Sequence, residues 1–296
     1  MTTRSGSGVR VGQADIGGTT AVLGAVTLMG IGSVVAKASD IAGPVLAFHR
    51  AWVAAVLYVV LFLALGGRVS RASLRAAAPG GLFFGVQLAF FFSAIQLTTV
   101  ANATMLIALQ PVAVLLFFSK RFDEVVSGSE IAISAVALAG VGLVVFGSTG
   151  SPSWSPGGDL LAVGALACWT LYFVASKQAR QTVGAVEYQG LSLIFSTAVM
   201  LPVAFLFSGT VDAGAGKWWW IPAMVGIPGT GHLLMNWAHS RVPLALVSEL
   251  TLISPVVSVG LAAAVLDGET VNATQLLGMG VVLAALALLV RPRAAR

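Results

Sequence analysis

The chain has 296 residues, 57% of them hydrophobic and only 9% charged, with a mean hydropathy of +0.95. Soluble domains carry about 25% charged residues, so this composition excludes a single aqueous core and requires lipid as solvent for much of the surface. The net charge of +5 does not mark a nucleic-acid binder, because the basic residues fall at the ends of apolar segments.

Residues 1–15 are rich in Gly, Ser and Thr and carry no cleavage pattern, which predicts a short disordered tail rather than a removed leader. A spanning helix needs about 20 apolar residues. Segments of that kind lie near 17–38, 44–65, 78–97, 99–118 and 130–147, then near 158–177, 187–208, 218–238, 242–264 and 272–290. Gly66-Gly67-Arg68 ends the second segment. A Gly, Ser and Pro stretch around 151–157 links the halves, and residues 291–296 form a basic tail. The predicted fold is an all-α membrane protein of ten transmembrane helices, arranged as two inverted five-helix repeats over 16–150 and 158–290.

The repeat is visible in the residues. Leu109 to Val112 reads Leu-Gln-Pro-Val, followed by an apolar run and Asp123-Glu124. Ile253 to Val256 reads Ile-Ser-Pro-Val, followed by an apolar run, Asp267 and Glu269. A helix-start signal then comes in each half, Ser127 with Glu130 and Asn272 with Gln275. This spacing places a side-chain acceptor three residues before an acid or amide and satisfies orphan amides at a helix N-terminus. Upstream, Gly24 to Lys37 matches Gly164 to Lys177. Duplicated apolar halves of this length are the architecture of secondary transporters.

Lys and Arg are unevenly shared between segment ends. Thirteen of the 16 fall on one side if the N-terminus is cytoplasmic: those in the two tails, with Arg68, Arg71, Arg75, Lys120, Arg121, Lys177, Arg180 and Arg241. Lys37 and Lys217 fall on the other, and Arg50 lies within the second segment. This bias predicts both termini inside the cell membrane. Trp154, Trp218, Trp219 and Trp220 at outer ends suit an aromatic belt.

In the order of these features the chain resembles the drug/metabolite transporter superfamily, as two tandem EamA-type repeats. The matching residues are Pro44 and Arg50, Gln110-Pro111 and Ser254-Pro255, Glu124 and the Leu266 to Glu269 turn, and the stretch Gly231 to Ala238. Phe122-Asp123-Glu124 departs from the Leu-Gly-Glu usual at that turn. The resemblance implies a ten-helix fold and transport of small organic metabolites, often outward.

Polar residues at depth are costly and need a reason. Glu249 and His232 lie at matching depth on consecutive antiparallel helices, so the two side chains could meet as a proton-coupling pair or as a structural link. Thr251, Ser254 and Pro255 share one stripe of the ninth helix and read as a cavity wall; Pro255 and Pro111 each free a backbone carbonyl or simply kink the helix. Gln87 and Phe91, with Trp169 and Tyr172, would accept an amphipathic solute by stacking and hydrogen bonding. Asn102 and Asn236 line the cavity or cross-link helices. Arg50 snorkels to the outer interface or meets an anionic solute.

The remaining function classes lack their signatures. The three His show no paired metal spacing, and no phosphate loop or soluble catalytic domain is present, so neither enzyme activity nor a cofactor is expected. A lone Cys168 excludes an intrachain disulfide. A channel needs a ring of selective groups, and a receptor needs a longer loop. The expected partners are the lipid bilayer, a small-molecule solute and protons as a coupling ion, with no nucleic acid.

Overall fold

The computed structural model describes residues 15–97, 100–124, 126–149, 155–266 and 270–290, with the side chain of Asn102 outside that description. The tails, Trp154, Asp267 and Glu269 also lie outside it. The described residues are helical, with no strand among them. In chain order the helices are α1 (Ile16–Ser39), α2 (Gly43–Ala64), α3 (Arg71–Leu97), α4 (Val100–Ile107), α5 (Gln110–Phe117) and α6 (Gly128–Thr149). They continue with α7 (Pro156–Ala179), α8 (Ala185–Ser208), α9 (Trp220–Ala238), α10 (Leu244–Leu250), α11 (Ile253–Val265) and α12 (Ala273–Val290).

Eight described stretches are long and apolar enough to cross a membrane, with Leu244–Val265 taken as one; Ala103–Phe117 is a shorter apolar stretch. The outward faces suit lipid. On α2, for example, Val56, Val60 and Leu63 are at least half exposed, while Ala51, Ala54 and Ala55 on the opposite side are buried.

Three segments differ from expectation. Helix α3 begins at Arg71, seven residues before the expected start at 78. Ser70 and Ser73 cap it reciprocally, each backbone amide donating to the other hydroxyl at 3.0 Å. The segments expected at 99–118 and 242–264 are each broken in two. Ala108-Leu109 and Thr251-Leu252 form tight turns, in which Leu109 N donates to Leu106 O at 3.1 Å and Leu252 N to Glu249 O at 3.1 Å. Pro111 comes two residues after the first turn and Pro255 three residues after the second. Proline lacks the N–H that would close the preceding turn, and its ring displaces the carbonyl four residues back.

The packing is pairwise. Helix α1 lies along α9 and α11, α3 along α7 and α8, α2 along α8, and α6 along α12. Glycine permits the closest crossings. A Cβ on Gly278 of α12 would stand 2.7 Å from Gly140 O of α6, and one on Gly30 of α1 would stand 2.9 Å from Ser254 O. Both capping boxes form: Ser127 N meets Glu130 Oε2 at 2.7 Å, and Gln275 N meets Asn272 Oδ1 at 2.9 Å.

At the end of the bundle near the α1–α2 turn, Lys217 Nζ pairs with Asp40 Oδ2 at 2.8 Å. That ammonium holds the Asp40 carboxyl below its ordinary range. Nearby, Trp52 Nε1 donates to His49 Nδ1 at 2.9 Å, which places the proton of the neutral ring on Nε2, facing Val211 O. Trp218 and Trp219 are exposed at the same end, as an interfacial belt requires.

Candidate functional site

A cavity of about 340 Å³ lies at the centre of the bundle. Both broken helices form its wall, through Ile107 and Ala108 in one half and Thr251, Leu252, Ser254 and Pro255 in the other. Helix α1 supplies Gly32, Ser33 and Ala36, so the cavity reaches within a turn of that helix's C-terminal end. Helix α3 supplies Phe84 and Gln87, α7 supplies Trp169, and α9 supplies Pro228 and His232. A small recess of about 20 Å³ continues inward to Tyr172, Gln189 and Ser192, and Arg50, Phe84 and His232 border both spaces.

Several residues singled out in the sequence come together here. Gln87, Trp169, Thr251, Ser254 and Pro255 line the cavity, and Tyr172 lines the recess. Aromatic groups form one wall. Trp169 stacks on Tyr172 with ring centroids 5.3 Å apart, and Phe84 lies 5.1 Å from Tyr172 and 5.2 Å from His232. Arg50 does not snorkel: its guanidinium sits 5.8 Å from the Phe84 ring centroid and borders the cavity.

Other expectations are corrected. Phe91 packs with Ala94, Ala103 and Ala162 and does not line the cavity. Asn236 takes the second of the two roles open to it in the sequence and cross-links helices. Its Oδ1 accepts from Ser176 Oγ at 2.7 Å and from Tyr172 Oη at 3.3 Å, and its Nδ2 donates to Gln189 Oε1. His232 and Glu249 do not form the expected pair. His232 faces the cavity beside Phe84, whereas Glu249, only 2% exposed, accepts a hydrogen bond from Ser134 of α6. Equal depth sets height along a helix but not which way a side chain points, and consecutive residues turn by about 100°. The second carboxyl oxygen of Glu249 has no partner among the described residues. Pro111 is buried at the start of α5, just behind the wall formed by Ile107 and Ala108.

A layer of hydrogen bonds closes the cavity towards the Lys/Arg-rich face. Ser176 Oγ donates its only proton to Asn236, so the ring nitrogen Nδ1 of His239, 2.7 Å away, must donate to Ser176. Arg180 Nε donates to Asn236 O at 2.9 Å. Beyond this layer, His239, Arg180, Arg241, Lys177 and Glu124 line a vestibule of about 580 Å³.

Sequence reasoning missed the clasp at that vestibule. The Glu124 carboxylate is buried and accepts from the first backbone amides of α10, Leu244 N at 2.5 Å and Ala245 N at 2.9 Å. Lys177 Nζ pairs with the same carboxylate at 2.9 Å and donates to Val242 O at 2.9 Å. A carboxylate at a helix N-terminus satisfies orphan donors and the helix dipole together. The clasp ties the loop after α5 to the end of α7 and the start of α10. Both charged residues are apparent in the sequence, but their 53-residue separation conceals the pairing.

A family model described as "EamA-like transporter family" matches residues 16–146 and again 156–291. The threonine/homoserine exporter RhtA of Escherichia coli K12 is 28% identical over 216 residues, covering 69% of this chain and 68% of the exporter. The same exporter from Escherichia coli O157:H7 matches equally. One solved crystal structure aligns with 92% of this chain and 95% of its own, with a TM-score of 0.78 at 21% identity; that likeness concerns the fold.

Proposed function

We propose that this chain, which belongs to the EamA-like transporter family, carries small amphipathic metabolites across the cell membrane by alternating access. The direction is export, and amino acids and related compounds are the first solute class. The observation that carries the reading is a central cavity walled by two proline-broken helices and closed towards one face by a hydrogen-bonded layer and an ionic clasp. Irregular backbone inside a membrane is tolerated where it lines a cavity or is buried in protein. The similarity to a threonine/homoserine exporter supports the solute class.

In this reading the protein spans the membrane ten times, with both termini cytoplasmic, and 16–150 and 158–290 are inverted halves joined at 151–157. The Lys/Arg asymmetry supports the orientation. Packing supports the duplication: exchanging the halves turns the α1–α9 contact into α7–α3 and returns α2–α8 and α6–α12 onto themselves. The clasped face is then the cytoplasmic one. Gln87, Trp169, Tyr172, Thr251, Ser254 and His232 contact the solute in this reading. Glu249, buried beside Ser134, is the candidate proton carrier.

Direction and solute are tested together by comparing metabolites in the medium of cells lacking and overproducing the protein. The reading expects amino acids or close relatives to accumulate outside overproducing cells. An unchanged medium, or accumulation inside, contradicts export.

A further inference from the structure

We infer that the central cavity holds its solute by a carboxylate seated on Arg50, and that an amino group on that solute is optional for binding. This rests on the reading of the cavity as the transport site and specifies the solute's chemistry within it.

The argument starts from charge. Arg50 borders both the cavity and its inner recess. Among the described residues it forms no ion pair, and none of those lining either space is Asp or Glu. Beside the uncharged Tyr172 and His232 that share its recess, it has the Phe84 face at 5.8 Å, a cation–π contact that offsets only part of the desolvation of a guanidinium. A permanent cation is costly at membrane depth unless it is paired, and a guanidinium fork matches a carboxylate in bidentate geometry. The solute is therefore the missing partner.

The rest of the wall is neutral. Gln87, Thr251, Ser254 and Ser33 offer hydroxyls and an amide, and Trp169 with Phe84 offers an apolar face. Neutral groups can hydrogen-bond an ammonium but cannot neutralise it. The cavity thus distinguishes acids from amines: an amino acid enters as a zwitterion, its deaminated acid binds as well, and a cationic amine without a carboxylate is repelled by Arg50. The approach from the clasped face has the same sign. Arg121, Arg180 and Arg241 outnumber Asp123 in the vestibule lining, and Glu124 there is neutralised by Lys177 and the α10 amides, which leaves a net positive field. A field of one sign in a confined entrance raises the local concentration of the oppositely charged group.

The test is equilibrium binding to the full chain in lipid nanodiscs, with L-phenylalanine, 3-phenylpropanoate and L-phenylalaninol, and with L-threonine and L-threoninol. The three acids should bind the native protein, and each alcohol at least tenfold more weakly than its acid, as the loss of a charge-assisted hydrogen bond implies. Arg50→Gln should lower acid affinity about tenfold or more and leave the alcohols bound as well or better, since the repelling charge is gone, with Arg50→Lys intermediate. Melting curves on the same samples should show no loss of stability in Arg50→Gln, because the variant removes an unpaired charge. If that variant does not fold, the acid-to-alcohol ratio on the native protein decides. Equal binding of acids and alcohols, or an equal loss of both in Arg50→Gln, overturns the inference. Saturable liposome uptake of the alcohols without the acids would also overturn it while leaving the transport reading intact; saturable uptake of none of the five would count against both.

Discussion

Removing the Glu124 carboxylate tests the closed face of the bundle most sharply. Glu124→Ala takes an acceptor from Leu244 N and Ala245 N and the counter-charge from Lys177, whose side chain is only 14% exposed. Breaking a buried pair from one side costs about 3–5 kcal/mol. Lys177 keeps its bond to Val242 O, which places the cost near the lower end. At about 2–4 °C per kcal/mol for chains of some 200 residues, the melting temperature should fall by roughly 10 °C. Glu124→Gln should cost less, since its amide oxygen still accepts from α10, although Lys177 loses its counter-charge. The exchange Glu124→Lys with Lys177→Glu is the sharper control. A simple ion pair would be restored by it, whereas this clasp would not, because an ammonium would then face the positive end of α10. Thermal unfolding in nanodiscs, followed by Trp fluorescence, measures all four proteins. A shift under about 2 °C for Glu124→Ala, or full rescue by the exchange, would refute the reasoning.

Other expectations are equally specific. Gly278→Val should destabilise by about 1–3 kcal/mol, since a Cβ there meets the Gly140 carbonyl oxygen and Val144 N, both backbone atoms, and α6 and α12 must separate. Gly280→Ala, with nothing within 4 Å, should be neutral or up to about 1 kcal/mol stabilising, because alanine is the better helix former. If Glu249 carries the coupling proton, Glu249→Gln should abolish gradient-driven uptake in vesicles and spare solute-for-solute exchange; loss of both modes in folded protein would make it structural. Reporter fusions at Arg296 and Ser151 should read inside and outside, and finding both on one side would contradict the inverted halves.

The helices were legible in the sequence wherever apolar length, caps and proline agreed. Ser127 with Glu130 and Asn272 with Gln275 cap the helices they announce. Pro111 and Pro255 mark helix breaks that a count of apolar residues passes over, because the turns before them, Ala108-Leu109 and Thr251-Leu252, carry no charge and at most one small polar side chain. The start of α3 was hidden for the opposite reason: Arg71 and Arg75 make its first turns polar, and only the Ser70 and Ser73 caps reveal them. Cavity residues were found where they share a stripe on one helix, as Thr251, Ser254 and Pro255 do. Contacts between helices were not. The orientation of His232 relative to Glu249, the Glu124–Lys177 clasp and the turn of Arg50 into the cavity all depend on how one helix is rotated against another, which periodicity within a single helix does not determine. The Gly140–Gly278 crossing shows the same limit: Gly142 and Gly280 have the same composition signal but no close neighbour.

The central claim is that one cavity opens to each face in turn. Counterflow tests it directly: liposomes containing the purified chain are loaded with unlabelled L-threonine, and uptake of dilute labelled L-threonine is followed. Alternating access predicts a transient accumulation of label above the external concentration that saturates with external solute. Label that only equilibrates, at a rate linear in concentration, would identify an open pore and contradict the account.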